Sequence, residues 1–267
     1  VHPESGVLIS RHSICNNVDV YTDLYQWQKN RWKRLTHCGR YPRFAWAPDG
    51  ERIAVVHVDS GLTQVQILDH KGQLLESMEA MPPGEAVGHL SWAPNGEFIV
   101  AAVRRERSGW NIERLDPATG EWTRLTTGQH VKQRPKVSAD GESVYFIADY
   151  DGERNVQRLR LTDGRLETVS QTQTAILDFS VQADQLRVAR YTAEGIMLQQ
   201  QAVTPVAYQG QPALALEQPL GSLVNSDEFE PEKYTDVKDY SPLKTVGPKS
   251  WLAFLFAAEA VECAIDR

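Results

Sequence analysis

The histidines are the side chains of this sequence best able to act as general acids or bases or to bind a metal ion. The sequence has seven of them, at His2, His12, His37, His57, His70, His89 and His130. Their spacing matches no zinc-ligand pattern, and we interpret them as turn and strand-end residues. His57 and His89 could approach each other in a folded chain, but nothing in the sequence places them together. We therefore predict no catalytic residue, no metal site and no cofactor.

A second candidate for cation binding is an acidic or amide residue that recurs along the chain, at Asp49, Asn95, Asp140 and Asp184. If the repeats are arranged radially, these residues form a ring, and a ring of carboxylates can bind cations. Asp and Asn in turns also accept hydrogen bonds from the turn backbone, which is the interpretation that we favour. The acidic residues 149–153 resemble part of a calcium loop but lack its full ligand spacing, so we interpret them as a solvated turn.

Two tryptophans, one histidine and a basic cluster are the candidates for binding a partner. Trp46 and Trp92 occupy equivalent positions and could form platforms for a ligand, although we favour packing between neighbouring repeats. Arg104 and Arg105 belong to a basic cluster that fits either a solvated strand end or a site for a phosphate or an acidic partner. The candidate partner-binding residues are His57, Trp46, Trp92, Arg104 and Arg105.

The elements that position these residues follow from a repeated phrase. Residues 46–50 read WAPDG and residues 92–96 read WAPNG, with weaker copies at 137–141 and 181–185. The step of roughly 45 residues is typical of propeller blades. Each turn is followed by a short apolar run and then by a strand of alternating polarity, as in residues 112–116. This order predicts four short strands in each unit.

The sequence therefore predicts an all-β fold, a β-propeller of four-stranded blades with five visible repeats. The first unit lacks its innermost strand. Either residues 201–216 supply that strand and the propeller has five blades, or sequence upstream supplies a sixth blade. We assign residues 1–217 to the propeller and residues 218–267 to a linker and the start of a following segment.

Composition limits the classes of function. The chain has 267 residues, a formal net charge of −7 and 41% hydrophobic residues. The acidic excess argues against a nucleic-acid partner, which requires a basic surface. No apolar run approaches the roughly 20 residues of a membrane span. Cys15 and Cys38 could form a disulfide in an oxidising compartment; otherwise they are half-buried thiols.

Residues 44–54 and 122–126 resemble the WD40-like repeats of the TolB family. The resemblance implies a six-bladed propeller of the bacterial periplasm, a non-enzymatic scaffold that binds a protein or peptide partner at its funnel face. We expect such a protein to be a monomer. Residues 240–245 and 248–252 are similar to the junction at which a TolB-like propeller precedes an outer-membrane β-barrel of the surface-antigen type. That similarity implies contact with a membrane only through a barrel further along the chain.

The repeats also resemble the propeller of prolyl-oligopeptidase-type peptidases. The alternative function is therefore a substrate-gating propeller of a serine peptidase whose catalytic domain is absent. The nucleophile of those peptidases lies in a G-x-S-x-G elbow, and this sequence contains no such motif. We predict a non-enzymatic binding protein of the cell envelope.

Overall fold

The computed structural model of the protein describes residues 6–150, 152–182 and 185–208. All regular secondary structure in these residues is β-strand. Five antiparallel sheets form the blades of a β-propeller, and the strands of each blade follow one another in chain order. The predicted all-β propeller is therefore confirmed. Within these residues, no helix is long and apolar enough to cross a membrane.

The five blades differ in strand number. The first has three strands: β1 (Leu8–Cys15), β2 (Asp19–Gln28) and β3 (Arg31–Arg34). The second and third have four each: β4 (Arg43–Trp46), β5 (Arg52–Asp59), β6 (Leu62–Asp69) and β7 (Leu74–Ser77), then β8 (Ala86–Trp92), β9 (Ile99–Arg105), β10 (Gly109–Leu115) and β11 (Trp122–Arg124). The fourth contains β12 (Lys132–Val137), β13 (Ser143–Ala148), β14 (Asn155–Arg160) and β15 (Leu166–Thr168), and the fifth contains β16 (Ile176–Gln182), β17 (Gln185–Thr192) and β18 (Gly195–Ala202). The last strand, β19 (Val206–Ala207), is described below.

The repeated turns use their acidic residue for local hydrogen bonds. The Asp49 carboxylate accepts from the backbone N–H groups of Glu51 (2.8 Å) and Arg52 (3.1 Å), and Gly50 has the positive φ (71°) that the turn requires. The side-chain oxygens of Asn95 and Asp140 accept the corresponding bonds in the third and fourth blades. The turn interpretation is confirmed for these three residues. Asp184 and Asp151 lie outside the described residues, and the described residues contain no group of three or more potential metal ligands.

The core lies between successive blades. The second strand of each of the middle blades is buried on both faces, as its continuous apolar sequence predicts. In β5, Ile53 and Val55 pack toward the first blade, whereas Ala54 and Val56 pack toward the third. Burial of both faces holds these neighbouring blades together, since β4–β7 pair with no strand of another blade in the described part of the chain.

The chain returns to the fourth blade after the fifth. β19 pairs with β15, with Glu167 opposite Ala207 and Thr168 opposite Val206, so the fourth blade gains a fifth strand. Residues 201–208 therefore do not supply the missing strand of the first blade, which was one of the two expectations for closure. Residues 209–216, and with them the predicted linker and following segment (218–267), lie outside the described residues.

A disulfide joins Cys15 at the end of β1 to Cys38 in the connection after β3, with 5.6 Å between their Cα atoms. The pairing that the sequence allowed is thus present. It ties the first hairpin to the segment that leads into the second blade.

Candidate functional site

The innermost strands of the blades meet at the centre of the propeller. β4, β8, β12 and β16 are each the first strand of a blade, and within residues 6–208, gaps excepted, each pairs with a neighbour on one side only. β8 contacts both β4 and β12, and side chains of β12 reach β16. Five ionisable side chains of these strands form what we call the channel cluster: Arg43, His89, Arg134, Lys136 and Asp178.

Irregular pairing places three members of the cluster. The register of β8 shifts between Val87 and Leu90, that of β12 between Gln133 and Lys136, and that of β16 between Ile176 and Asp178. Such bulges redirect side chains that a regular strand would point elsewhere. His89 and Arg134 lie within the first two shifts, and Arg134 has a positive φ of 54°. A non-glycine residue in that conformation is uncommon and is a recognised feature of functional sites.

Gly88, beside His89, allows a close approach to a neighbouring strand. A Cβ atom at this position would lie 3.0 Å from Cζ3 of the Trp110 ring and 3.4 Å from the carbonyl oxygen of Ala102. A side chain at residue 88 would thus force the indole or the backbone of β8 to shift by a few tenths of an ångström. The position of His89 therefore depends on the small size of Gly88.

One carboxylate serves two cations in the cluster. The Arg134 guanidinium donates to Asp178 (Nη1–Oδ2, 3.0 Å), and Nζ of Lys136 lies 3.8 Å from the other carboxylate oxygen. Lys136 also donates to the carbonyl oxygen of Phe179. Arg43 donates to the carbonyl oxygen of Pro42 (3.0 Å). The two arginines and the lysine of the cluster thus share one acid among the described residues.

Burial and the neighbouring arginines both act on the ionisable groups of the cluster. Burial, together with the nearby charges of Arg134 and Arg43, lowers the pKa of His89 to about 4. Burial is also the main cause of the lowered pKa of Lys136, and Arg134 adds to it, although Asp178 opposes the shift. Both groups therefore experience an environment that disfavours further positive charge. A negative group beside the arginines would offset their part of this effect, as Asp178 does for Lys136.

The structure places the predicted tryptophans between blades. Trp92 is buried in the core between the second and third blades, and the Arg52 guanidinium lies 5.0 Å from its ring centroid. Trp46 is half-buried against the core between the first and second blades. These positions agree with the packing interpretation that the sequence favoured.

The other predicted residues lie in separate settings. His57 is half-buried on β5, with its ring 5.7 Å from that of Tyr41. Arg105 forms ion pairs with Glu85 (2.8 Å) and Glu113 (2.7 Å), and Arg104 is exposed on the same strand. His89, rather than His57, belongs to the channel cluster. Whether any of the five predicted residues contacts a partner stays a prediction.

A second polar arrangement was not anticipated from the sequence. In three blades an Asp or Asn on one strand (β2, β10 or β14) accepts a hydrogen bond from a Ser or Thr hydroxyl just after the next strand (β3, β11 or β15). That hydroxyl accepts a hydrogen bond from the backbone N–H of the residue that follows the Asp or Asn. We call this a strand clamp. The clamps are Asp23–Thr36–Leu24, Asn111–Thr126–Ile112 and Asn155–Ser170–Val156.

The clamp of the first blade carries a charge. The Asp23 carboxylate accepts from Thr36 Oγ1 (2.8 Å), Arg34 Nη2 (2.6 Å) and the backbone N–H groups of Gly39 (2.9 Å) and Cys38 (3.2 Å). Burial alone would raise the pKa of Asp23, but the hydrogen bonds from Gly39, Thr36 and Arg34 outweigh it, and the pKa is lowered. This clamp therefore also holds the segment that contains the disulfide.

These observations define the class of protein as a β-propeller whose inner strands carry an uneven set of charges. No family model matches the sequence. Among solved structures, TolB from Acinetobacter baumannii is similar with a TM-score of 0.59 and 15% identity, covering 72% of this chain and 50% of that chain. A puromycin hydrolase is similar with a TM-score of 0.58 and 16% identity, covering 79% of this chain and 38% of that chain.

A curated relative is Dipeptidyl-peptidase 5 of Porphyromonas gingivalis, which is 26% identical over 166 residues. The match covers 57% of this chain and 24% of the relative, so the chain spans about a quarter of that protein's length. The structural likeness confirms the TolB-like β-propeller fold that the repeats predict.

Proposed function

We propose that the protein is a non-enzymatic scaffold of the bacterial cell envelope, and that its propeller binds a protein or peptide partner at the channel. The observation that carries the proposal is the channel cluster. The acidic side chains of the turns and clamps are already bonded to their own backbone or to neighbouring strands, whereas the cluster presents half-exposed charges at the centre of the propeller. Polar side chains of this kind are available to a partner.

The disulfide supports the proposed location. Disulfides persist in oxidising compartments such as the bacterial periplasm and are rare in the reducing cytosol. Cys15 and Cys38 are paired, and the fold is similar to that of TolB. Mass measurement of protein isolated from the envelope, before and after reduction under alkylating conditions, is expected to reveal this disulfide. Free thiols at both positions would contradict the proposed location.

Site-directed photocrosslinking tests the scaffold function. A benzoylphenylalanine at position 43 or 136, exposed to envelope extract, is expected to form an adduct with the same protein, identified by mass spectrometry. Position 31, which is exposed on the outermost strand of the first blade, serves as the control and is expected to give no such adduct. Equal labelling at all three positions, or none at 43 and 136, would argue against a partner at the channel.

A second candidate function is the substrate-gating propeller of a prolyl-oligopeptidase-type serine peptidase. Its support is the similarity to Dipeptidyl-peptidase 5 and to puromycin hydrolase. The test is the coding sequence on both sides of this chain, followed by assays of the full-length product on aminoacyl and peptidyl reporters. A G-x-S-x-G motif beyond residue 267, with hydrolysis that disappears when its Ser is changed to Ala, would favour the peptidase.

A further inference from the structure

We infer that the channel cluster binds the carboxylates of an acidic peptide segment; this inference rests on the proposed scaffold function and specifies the chemistry of its partner. The first argument is charge balance. Arg43, Arg134 and Lys136 carry three positive charges, and Asp178 is the single acid of the cluster. The chain as a whole has a net charge of −7, so the net positive charge of the cluster is opposite in sign to that of the chain.

The second argument is the kind of cation. Two of the three are arginines, whose planar guanidinium groups match a carboxylate with two parallel hydrogen bonds. Arg134 already donates a single hydrogen bond to Asp178 (3.0 Å), which shows that a carboxylate fits beside this guanidinium. Arg43 makes a hydrogen bond only to the backbone carbonyl of Pro42 among its described contacts, so its charge faces no acid there.

The third argument selects a peptide over a small anion. The innermost strands β4, β8, β12 and β16 are paired on one side only within the described residues. Side chains already bond some backbone groups of these strands, namely the Val87 N–H and the N–H and C=O of Phe179. The other backbone groups along the free edges can pair with an extended peptide. Inorganic phosphate can use the cations, but it is too short to follow the edge of a strand with several hydrogen bonds. A peptide with acidic side chains uses both features.

The arrangement is also held in place before any ligand arrives. Arg134 keeps a left-handed backbone conformation within the bulge of β12, and Lys136 is fixed by its bond to the carbonyl oxygen of Phe179. Side chains that are already positioned lose less conformational freedom when they bind. The cluster is therefore suited to bind one kind of peptide segment selectively rather than to rearrange for many different ligands.

Isothermal titration of the full chain tests the inference, with capped tetraglutamate, capped tetraglutamine and sodium phosphate as probes. At an ionic strength of about 50 mM, where screening is weak, we expect tetraglutamate to bind at least about tenfold more tightly than either other probe. We expect Arg43→Gln combined with Arg134→Gln to weaken tetraglutamate binding by about tenfold or more. Arg31→Gln, an exposed arginine on β3, is the matched control and is expected to leave the affinity within about twofold.

Several results would overturn the inference. Equal affinity for tetraglutamate and tetraglutamine would mean that charge is not recognised, and phosphate that binds as tightly as tetraglutamate would mean that the site is a general anion site. An equal loss in the Arg31→Gln control would mean that binding is nonspecific. Circular dichroism of each variant verifies that the fold is intact.

The result also separates this inference from the proposed scaffold function. If a specific partner is crosslinked at positions 43 and 136 but tetraglutamate does not bind, the proposed scaffold function stands and the acidic ligand is refuted. Binding of tetraglutamate without any crosslinked partner would support the acidic ligand and count against the scaffold.

Discussion

The strand clamps and the channel cluster use similar side chains for different purposes. In the clamps, Asp23, Asn111 and Asn155 are buried and bonded to neighbouring strands or connections. In the channel cluster, Arg134, Lys136 and Asp178 stay between one third and one half exposed, and two cations share one carboxylate. The difference indicates that stability and binding are separable in this propeller: changes in the clamps should alter unfolding, and changes in the channel should alter binding.

The largest expected effect is loss of the charged clamp by Asp23→Ala. The change leaves Arg34 and several backbone donors without their acceptor, and we expect the free energy of unfolding to fall by about 3 kcal/mol. Urea denaturation at neutral pH measures it. Asn111→Ala removes a neutral clamp and should cost less, about 1–2 kcal/mol. Tetraglutamate affinity should stay unchanged in both folded variants.

The charge of Asp23 adds a pH dependence. Because its folded pKa lies below the usual 3.8, the stabilisation is complete above that value and is lost as the pH falls through the folded pKa. The difference between wild type and Asp23→Ala should therefore narrow in acid. Asp163→Ala, in an exposed turn, is the control and should change stability far less. An equal loss in the two variants would contradict the role of the clamp.

The change Lys132→Met tests the difference between buried and partly exposed charges within one strand, β12. Lys132 lies on β12 with Arg134 and Lys136, but it is fully buried, with Nζ donating to the carbonyl oxygen of His130 (2.9 Å). Burial lowers its pKa to about 8, so the unfolded chain binds more protons between about pH 8 and 10.4. Wild-type stability should rise with pH across that window, whereas the rise should be clearly smaller in the Met variant, which keeps, of the two lysines, only Lys136 with a lowered pKa.

At pH 7 the Met variant should be more stable than wild type by about 2 kcal/mol, because a buried charge has been removed. Thermal and urea unfolding between pH 7 and 10 measure both effects. A variant that is less stable at every pH would mean that the hydrogen bond to His130 and the packing of the lysine stem outweigh the cost of its burial.

The change His89→Gln tests whether the channel cluster lowers the pKa of His89, and its expected effect on stability is smaller than those above. The pKa of His89 is about 4 in the folded protein, below the usual 6.5. The wild-type protein therefore loses free energy of unfolding as the pH falls from 6.5 to 4. The glutamine variant avoids this loss, which we expect to be about 1 kcal/mol after allowance for partial solvent screening. The measurement is the difference in unfolding free energy between variant and wild type at pH 7 and pH 4. His37→Gln, at an exposed position, should follow wild type.

The smallest expected effect is a gain. The second blade has Gln64 and Glu79 where the other clamps have Asp or Asn and Ser or Thr, and its strands are joined there by the Met78 N–H to Val65 carbonyl bond (2.9 Å). Gln64→Asn together with Glu79→Thr should install a clamp and raise the free energy of unfolding by about 0.5–1 kcal/mol. Each single change alone should add nothing. A loss in the double variant would show that the clamp depends on more than these two positions.

The fold was predictable because each repeat contains the residues that form the turn between two of its strands. Trp46 and Trp92 mark equivalent strand ends, and Asp49 supplies the turn hydrogen bonds that its residue type suggests. The clamps also left a signal, an Asp or Asn before an apolar residue and a Ser or Thr 13–15 residues later. That signal is visible once the pairing of the two strands of each clamp is known.

The channel cluster was not predictable from the pattern of residues. Arg134 and Asp178 come together across 44 residues because bulges in β12 and β16 shift the register, and alternation of polarity does not reveal a bulge. His89 stood out only as a possible neighbour of His57. Arg105 illustrates the converse, since a basic residue that suggested binding is occupied by Glu85 and Glu113.

The return of the chain to the fourth blade has a mechanical consequence. Tension applied beyond residue 208 would reach β19 first, and two residue pairs with β15 would carry the load before β18 does. The contact of the Tyr208 and Tyr150 rings, 4.9 Å apart, adds resistance at the same point. Under such tension, the fourth blade would therefore be loaded before the fifth blade begins to unfold.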